Sequence, residues 1–129
     1  MKAAVYENYG SPEVVSIQEV SKPVQKDTEV LVKVYAAGVN ASDSRLRAAN
    51  FPPGFSVFAR LMFGVFKPRK KILGSTFSGI VEAIGGEVKN FQVGDAVFGM
   101  TGMKMAAHAE FITIAENKTV AKKPEGLSF

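Results

Sequence analysis

Short apolar runs, several alternating with polar residues, recur along most of this chain, and glycines and prolines punctuate them. Lys2 to Tyr6 is a β-prone run, and Tyr9-Gly10-Ser11-Pro12 supplies turn residues before Val14 to Val20, which predicts an opening hairpin. Ser21-Lys22-Pro23 ends it. From Glu29 to Val39, Val30, Val32 and Val34 alternate with Leu31, Lys33 and Tyr35, the pattern of the longest strand. Gly38 marks its far end, where a close backbone approach or a bend suits the missing side chain. The stretch from Ile72 to Gly99 reads as two strands and a managed turn. Phe77 to Ile84 forms the first strand, Gly85 and Gly86 are expected to supply positive-φ positions, and Gly94-Asp95 repeats the turn signal before Ala96-Val97-Phe98. The alternating run His108 to Ile114, a turn at Glu116-Asn117 and a last short strand from Thr119 to Ala121 complete the pattern.

Two segments break the strand periodicity. After Gly38, Asn40 or Ser42 can cap a short helix over Asp43 to Ala49, with Asp43 in the favoured first turn. Asn50-Phe51-Pro52-Pro53-Gly54 stops that helix, because two prolines cannot continue it. The segment Phe55 to Phe66 has Phe55, Phe58, Met62 and Val65 at helical spacing, yet Val57, Leu61, Phe63 and Phe66 make its other side apolar too. Twelve residues are too few to cross a membrane, which needs ~20. Its covering is the domain's own core, a second domain or subunit, or a membrane surface.

Composition narrows this further. At 129 residues the chain has the size of one domain, and 47% hydrophobic residues suffice for one core. The lack of Cys excludes disulfides and thiolate metal sites, and no apolar leader follows Lys2, so a cytoplasmic location is the default expectation. The net charge of +4 is unevenly spread: no acid occurs between Asp43 and Glu82, where seven basic residues lie. No DNA- or RNA-binding motif accompanies them, so a solvated surface is favoured over a nucleic-acid partner. Many short strands with glycine turns and one or two short helices indicate a mainly β fold, a barrel or sandwich.

The order of motifs carries a resemblance. MKAAVYENYG, GVNASD, GIVEAIG, VGDAVFG and AEFITIAENKTVAKKPEGLS together resemble the N-terminal catalytic domain of the medium-chain dehydrogenase/reductase superfamily, the quinone reductase and alcohol dehydrogenase group. The resemblance implies a GroES-like, partly open β-barrel over residues 1–129. It also implies NADP or NAD as cofactor, held mainly by a separate Rossmann domain. No Gly-x-Gly-x-x-Gly follows a strand here, so that domain is expected to lie outside this chain. Zinc-dependent members carry Cys at the position matching Asn40 and a His-Glu pair matching Ser75-Thr76, none of which is a strong ligand here. The remaining candidates, Asp43, His108 and Glu110, lack ligand spacing, so no zinc is expected.

The zinc-free branch resembles quinone and enone reductases, which implies hydride transfer between NAD(P)H and a carbonyl, enone or quinone. In that resemblance Asn40 occupies the active-site position and would orient nicotinamide or substrate, Ser42 matches a proton-relaying hydroxyl, and Asp43 orients Ser42 or the helix start. Taken alone, Asn40 reads equally as an N-cap. Phe51, where relatives have a Tyr, cannot donate a proton, and with Phe55 and Phe58 it would line the substrate. Expected partners are the small-molecule substrate and the cofactor domain, with a homodimer as an option and membrane contact disfavoured. The non-enzyme alternative is a GroES-like binding or assembly module that uses the Phe-rich segment 55–66.

Overall fold

The computed structural model describes residues 1–129. Strands β1 (Lys2–Tyr6) and β2 (Val15–Glu19) pair antiparallel as the expected hairpin, with a 3₁₀ turn at Pro12–Val14 in the connection. The second sheet contains β3 (Glu29–Ala37), β4 (Thr76–Ile84), β5 (Ala96–Met100), β6 (Phe111–Ala115) and β7 (Val120–Lys122), ordered β6-β3-β4-β5-β7 with every pair antiparallel. No ladder joins β6 to β7, so the barrel stays open, as the mainly β, GroES-like expectation required. Isolated bridges Ala3–Ala109 and Val5–Ile72 tie the hairpin to the segments that lead into β6 and β4.

Curvature comes from two register shifts between β3 and β4. One leaves Glu82 without an opposite residue and the other leaves Tyr35 so, and each extra residue bends and twists its strand. The curl brings Val30, Val32, Phe77, Val81, Val97, Ile112 and Ile114 into one cluster with Phe91 and Ala107. Val30, Val32, Val81 and Val97 are fully enclosed, each contributing about 1.5–3 kcal/mol of apolar burial. A second cluster of Tyr6, Leu46, Leu73 and Met105, with Tyr9, Val14, Phe51 and Phe63 against it, lies between the hairpin and the helices.

Several expectations need correction. β3 ends two residues before Val39 and shares its nine-residue length with β4. Gly85 and Gly86 do not adopt positive φ. A side chain on Gly85 would instead strike the carbonyls of Lys26 and Asp27, so close approach demands glycine there. Gly94 does take positive φ, 95°. The first helix, α1 (Ala41–Ala48), starts two residues earlier than expected and ends on Ala49 in the left-handed region at φ 52°. Helix α2 (Ser56–Phe63) occupies the Phe-rich segment, but the domain's own core covers little of it. Ala59 is buried and Phe63 packs on the second cluster, while Val57, Phe58 and Leu61 are 72%, 59% and 59% exposed. With apolar residues on every side, only one side of this helix can face the core. No helix is long and apolar enough to cross a membrane.

Candidate active site

The chain leaves β3 at Ala37, opposite Phe77, and enters α1 through Gly38, Val39 and Asn40. Asn40 keeps an extended backbone, and its Oδ1 accepts the backbone N–H groups of Ser42 at 2.8 Å and Asp43 at 3.3 Å. Asp43 Oδ2 accepts the Asn40 N–H at 2.9 Å, which closes a reciprocal capping box. Backbone N–H groups only donate, so the amide oxygen must face the helix and the NH₂ must face away. One of its N–H groups donates to Ser75 Oγ at 3.2 Å, and the other has no partner within the chain.

Asp43 is the buried anchor of this arrangement, 4% exposed. Its second oxygen accepts the Gly74 N–H at 3.1 Å, so both carboxylate oxygens are engaged by main chain at the start of a helix, where the dipole favours negative charge. Asp43 therefore holds the helix start and the Gly74 strand entry rather than the Ser42 side chain. Thr101 secures the other side of that entry: its backbone N–H donates to Ser75 O at 2.8 Å and its hydroxyl to Gly74 O at 3.2 Å. Every buried side-chain polar atom has a partner. The Ser42 hydroxyl is exposed, on the first turn of α1, and makes no hydrogen bond within the chain.

The structure thus brings Asn40, Ser42 and Asp43 together and adds Ser75, Gly74 and Thr101. The aromatic candidates belong to a different unit. Phe51 lies parallel to Phe63, with ring centroids 6.3 Å apart, on the second cluster, whereas Phe55 and Phe58 meet each other at 5.5 Å on the exposed side of α2. In the same cluster as Phe51 and Phe63, burial, and then the neighbouring Tyr9, push the Tyr6 hydroxyl up to about 12. Asp43, His108 and Glu110 form no metal-binding group. Each is engaged elsewhere: Asp43 with main chain, His108 with Gly38 O at 3.0 Å, and Glu110 with the Lys2 N–H at 2.8 Å.

Gly74 and Thr101 are the residues sequence reasoning missed. Gly74 has φ 91°, and a side chain there would meet the His108 ring and main chain, but a lone glycine after Leu73 carries no motif that would reveal this. Chemically, the site offers amide and hydroxyl donors on a fixed backbone frame. Such neutral donors can polarise a carbonyl or hold a carboxamide.

Residues 26–125 match the alcohol dehydrogenase GroES-like domain. A quinone oxidoreductase of Pongo abelii is 32% identical over 134 aligned residues, which take in 100% of this chain and 35% of the relative. The quinone oxidoreductase of Coxiella burnetii has a similar structure, with a TM-score of 0.83 and 30% identity over 100% of this chain and 38% of that one. An Escherichia coli quinone oxidoreductase solved in complex with NADPH gives a TM-score of 0.80 at 25% identity, over 100% of this chain and 35% of that one. The chain spans about a third of the length of these relatives.

Proposed function

The chain belongs to the alcohol dehydrogenase GroES-like domain family, and from that premise we propose that it is the substrate-binding and catalytic domain of a zinc-independent, NADPH-dependent oxidoreductase acting on quinones or related enones and carbonyls. One observation carries this reading: Asn40 and Ser75, which the resemblance matches to zinc-ligand positions, are 35 residues apart in sequence and hydrogen-bonded at 3.2 Å. A neutral amide–hydroxyl pair stands where the zinc-dependent relatives place thiolate and imidazole. With Thr76 it lacks the donors that hold zinc, which leaves amide and hydroxyl groups to polarise the substrate.

The donors present suit the nicotinamide carboxamide and the substrate carbonyl. No glycine fingerprint exists here for the pyrophosphate, so a second domain of a longer protein would hold the rest of the cofactor. When bound, NADPH supplies a hydride. The free N–H of Asn40 donates to the substrate carbonyl oxygen, and this bond strengthens as negative charge builds there. The exposed hydroxyl of Ser42 passes a proton from solvent to that oxygen, so the quinone takes up one hydride and one proton. Asp43 touches no reactant in this scheme and acts as a positioning residue for the helix start.

A protein joining this domain to its nucleotide-binding domain is expected to oxidise NADPH in the presence of 1,4-benzoquinone. Residues 1–129 alone are expected to show no sub-micromolar NADPH binding in titration calorimetry, and such binding would relocate the cofactor site. One observation favours a second reading, a binding module: the exposed apolar surface of α2. Absence of turnover with quinone, enone and carbonyl substrates alike would favour that module.

A further inference from the structure

We infer that His108 is a positioning residue for the Asn40 donor, an inference that rests on the catalytic reading of Asn40. Between the last ladder pair of β3 and the cap of α1 lie only Gly38 and Val39, so the carbonyl of Gly38 sets where Asn40 stands. That carbonyl only accepts, and His108 Nε2 lies 3.0 Å from it, so Nε2 carries the proton and donates. The Gly38 N–H donates to Thr76 O at 3.3 Å, and a side chain on Gly38 would collide with Thr76 Oγ1. The peptide is thereby fixed on both sides.

His108 is itself held at three points. Its N–H donates to Leu73 O at 3.0 Å, its carbonyl accepts the Ala4 N–H at 2.9 Å, and its ring lies against Gly74, where an added Cβ would sit 2.9 Å from the ring Cγ. Gly74 in turn donates to Asp43, and Asp43 accepts from Asn40. The contacts close a loop: His108 to Gly38, along the chain to Asn40, then to Asp43, Gly74 and back to the His108 ring. Asn40 is located from its N-terminal side by His108 and from its C-terminal side by Asp43. Because productive geometry tolerates displacements well under 1 Å, loss of one of these two fixings would lower turnover without removing any group that touches a reactant.

Two substitutions separate this role from plain packing, because they remove opposite properties. His108→Phe keeps a ring against Gly74 and loses the donor; His108→Gln keeps a donor for Gly38 O and loses the ring. In the longer enzyme, H108F is expected to lower kcat for 1,4-benzoquinone roughly ten- to a hundredfold with KM changed less than about twofold, while H108Q stays near wild type. The reverse order, normal kcat in H108F with a destabilised H108Q, would assign His108 to packing and overturn the inference. An activity-free measurement uses residues 1–129: the two side-chain amide proton signals of Asn40 in a ¹⁵N-correlated spectrum. They should shift and broaden in H108F and keep wild-type positions in H108Q; unchanged Asn40 signals in H108F would also overturn the inference. Failure of the catalytic reading would show separately, as full turnover by Asn40→Asp with the spectral result intact.

Discussion

Replacing Asn40 by Asp and by Ala separates its two uses. The oxygen caps α1 through Ser42 and Asp43, and the nitrogen carries the free donor. Asn40→Ala removes both. Loss of the cap costs about 0.5–2 kcal/mol, and for a domain of this size about 1 kcal/mol lowers the melting temperature by a few degrees. Asn40→Asp is nearly isosteric and keeps a capping oxygen. Its charge gains about 0.3–1 kcal/mol from the helix dipole, but it also faces the buried carboxylate of Asp43, whose Oδ2 lies 2.9 Å from the Asn40 main-chain nitrogen. These effects oppose each other, so the stability of N40D should stay within about 1 kcal/mol of wild type.

Both variants lose the side-chain N–H that has no partner within the chain and that the proposed scheme assigns to the substrate carbonyl. One preorganised donor to a developing oxyanion contributes on the order of a hundredfold, about 2.7 kcal/mol. The expected result is a mismatch: N40D melts near wild type and N40A a few degrees lower, while NADPH-dependent quinone turnover falls about a hundredfold in both. Thermal melts of residues 1–129 give the first quantity, and steady-state kinetics of the longer enzyme give the second. Wild-type turnover by N40D would refute the argument, since capping would then be the whole role of Asn40.

Asp43→Ala should destabilise residues 1–129 by about 3 kcal/mol in denaturant titration, because the Gly74 and Asn40 N–H groups lose a charged acceptor in a buried place. Acid should weaken the fold through Asp95 and Glu116. The Gln92 N–H and then, against the cost of burial, Lys122 hold Asp95 below its usual range, and the Asn90 and Lys89 N–H groups do so for Glu116. Folded values below unfolded ones of about 3.9 and about 4.3 mean stabilisation that is complete above those values and lost as pH falls through the folded ones. Glu116→Gln should flatten the fall in stability below about pH 4, and an unchanged slope would count against the assignment. Metal analysis should find no stoichiometric zinc, and chelators should leave the melting temperature unmoved; one tightly held zinc per chain would contradict the donor set at Asn40, Ser75 and Thr76. Within α2, exposed Phe58→Ser should change stability by less than about 0.5 kcal/mol, whereas Phe63→Ala, which strips a ring from the second cluster, should cost about 2 kcal/mol.

What the sequence made legible is local. The alternation of Val30, Val32 and Val34, the Gly94 turn and the prolines after Asn50 act within a few residues, and strands and helix stops follow them closely. The cap at Asn40 was legible for the same reason, since Asn40 and Asp43 are three residues apart. Contacts across the chain were not. Thr101 meets Gly74 from 27 residues away and His108 meets Gly38 from 70, and neither pairing has a periodicity or motif to announce it. Gly85 reads as a turn residue for its conformational freedom, but the carbonyls of Lys26 and Asp27 decide the matter, and residues 84–87 alone do not contain them. The covering of Phe55–Phe66 was illegible for a related reason: hydrophobic spacing says that a face is apolar, not which neighbour stands over it.

Cap and donor are therefore not rival roles for Asn40. The helix start takes the amide oxygen, and by taking it fixes where the amide nitrogen points, so folding of α1 orients the donor before any ligand arrives. An exposed asparagine free to rotate would have to be ordered on binding, at about 0.5–1.5 kcal/mol for such a side chain. Here the two N–H groups on its oxygen and the Ser75 contact on its nitrogen have already done that ordering. The same economy explains why the one buried acid at the site bonds only main chain. Asp43 defines the frame, while the exposed groups beside it, Asn40 Nδ2 and the Ser42 hydroxyl, retain donors that no group of the chain engages, as the proposed scheme requires.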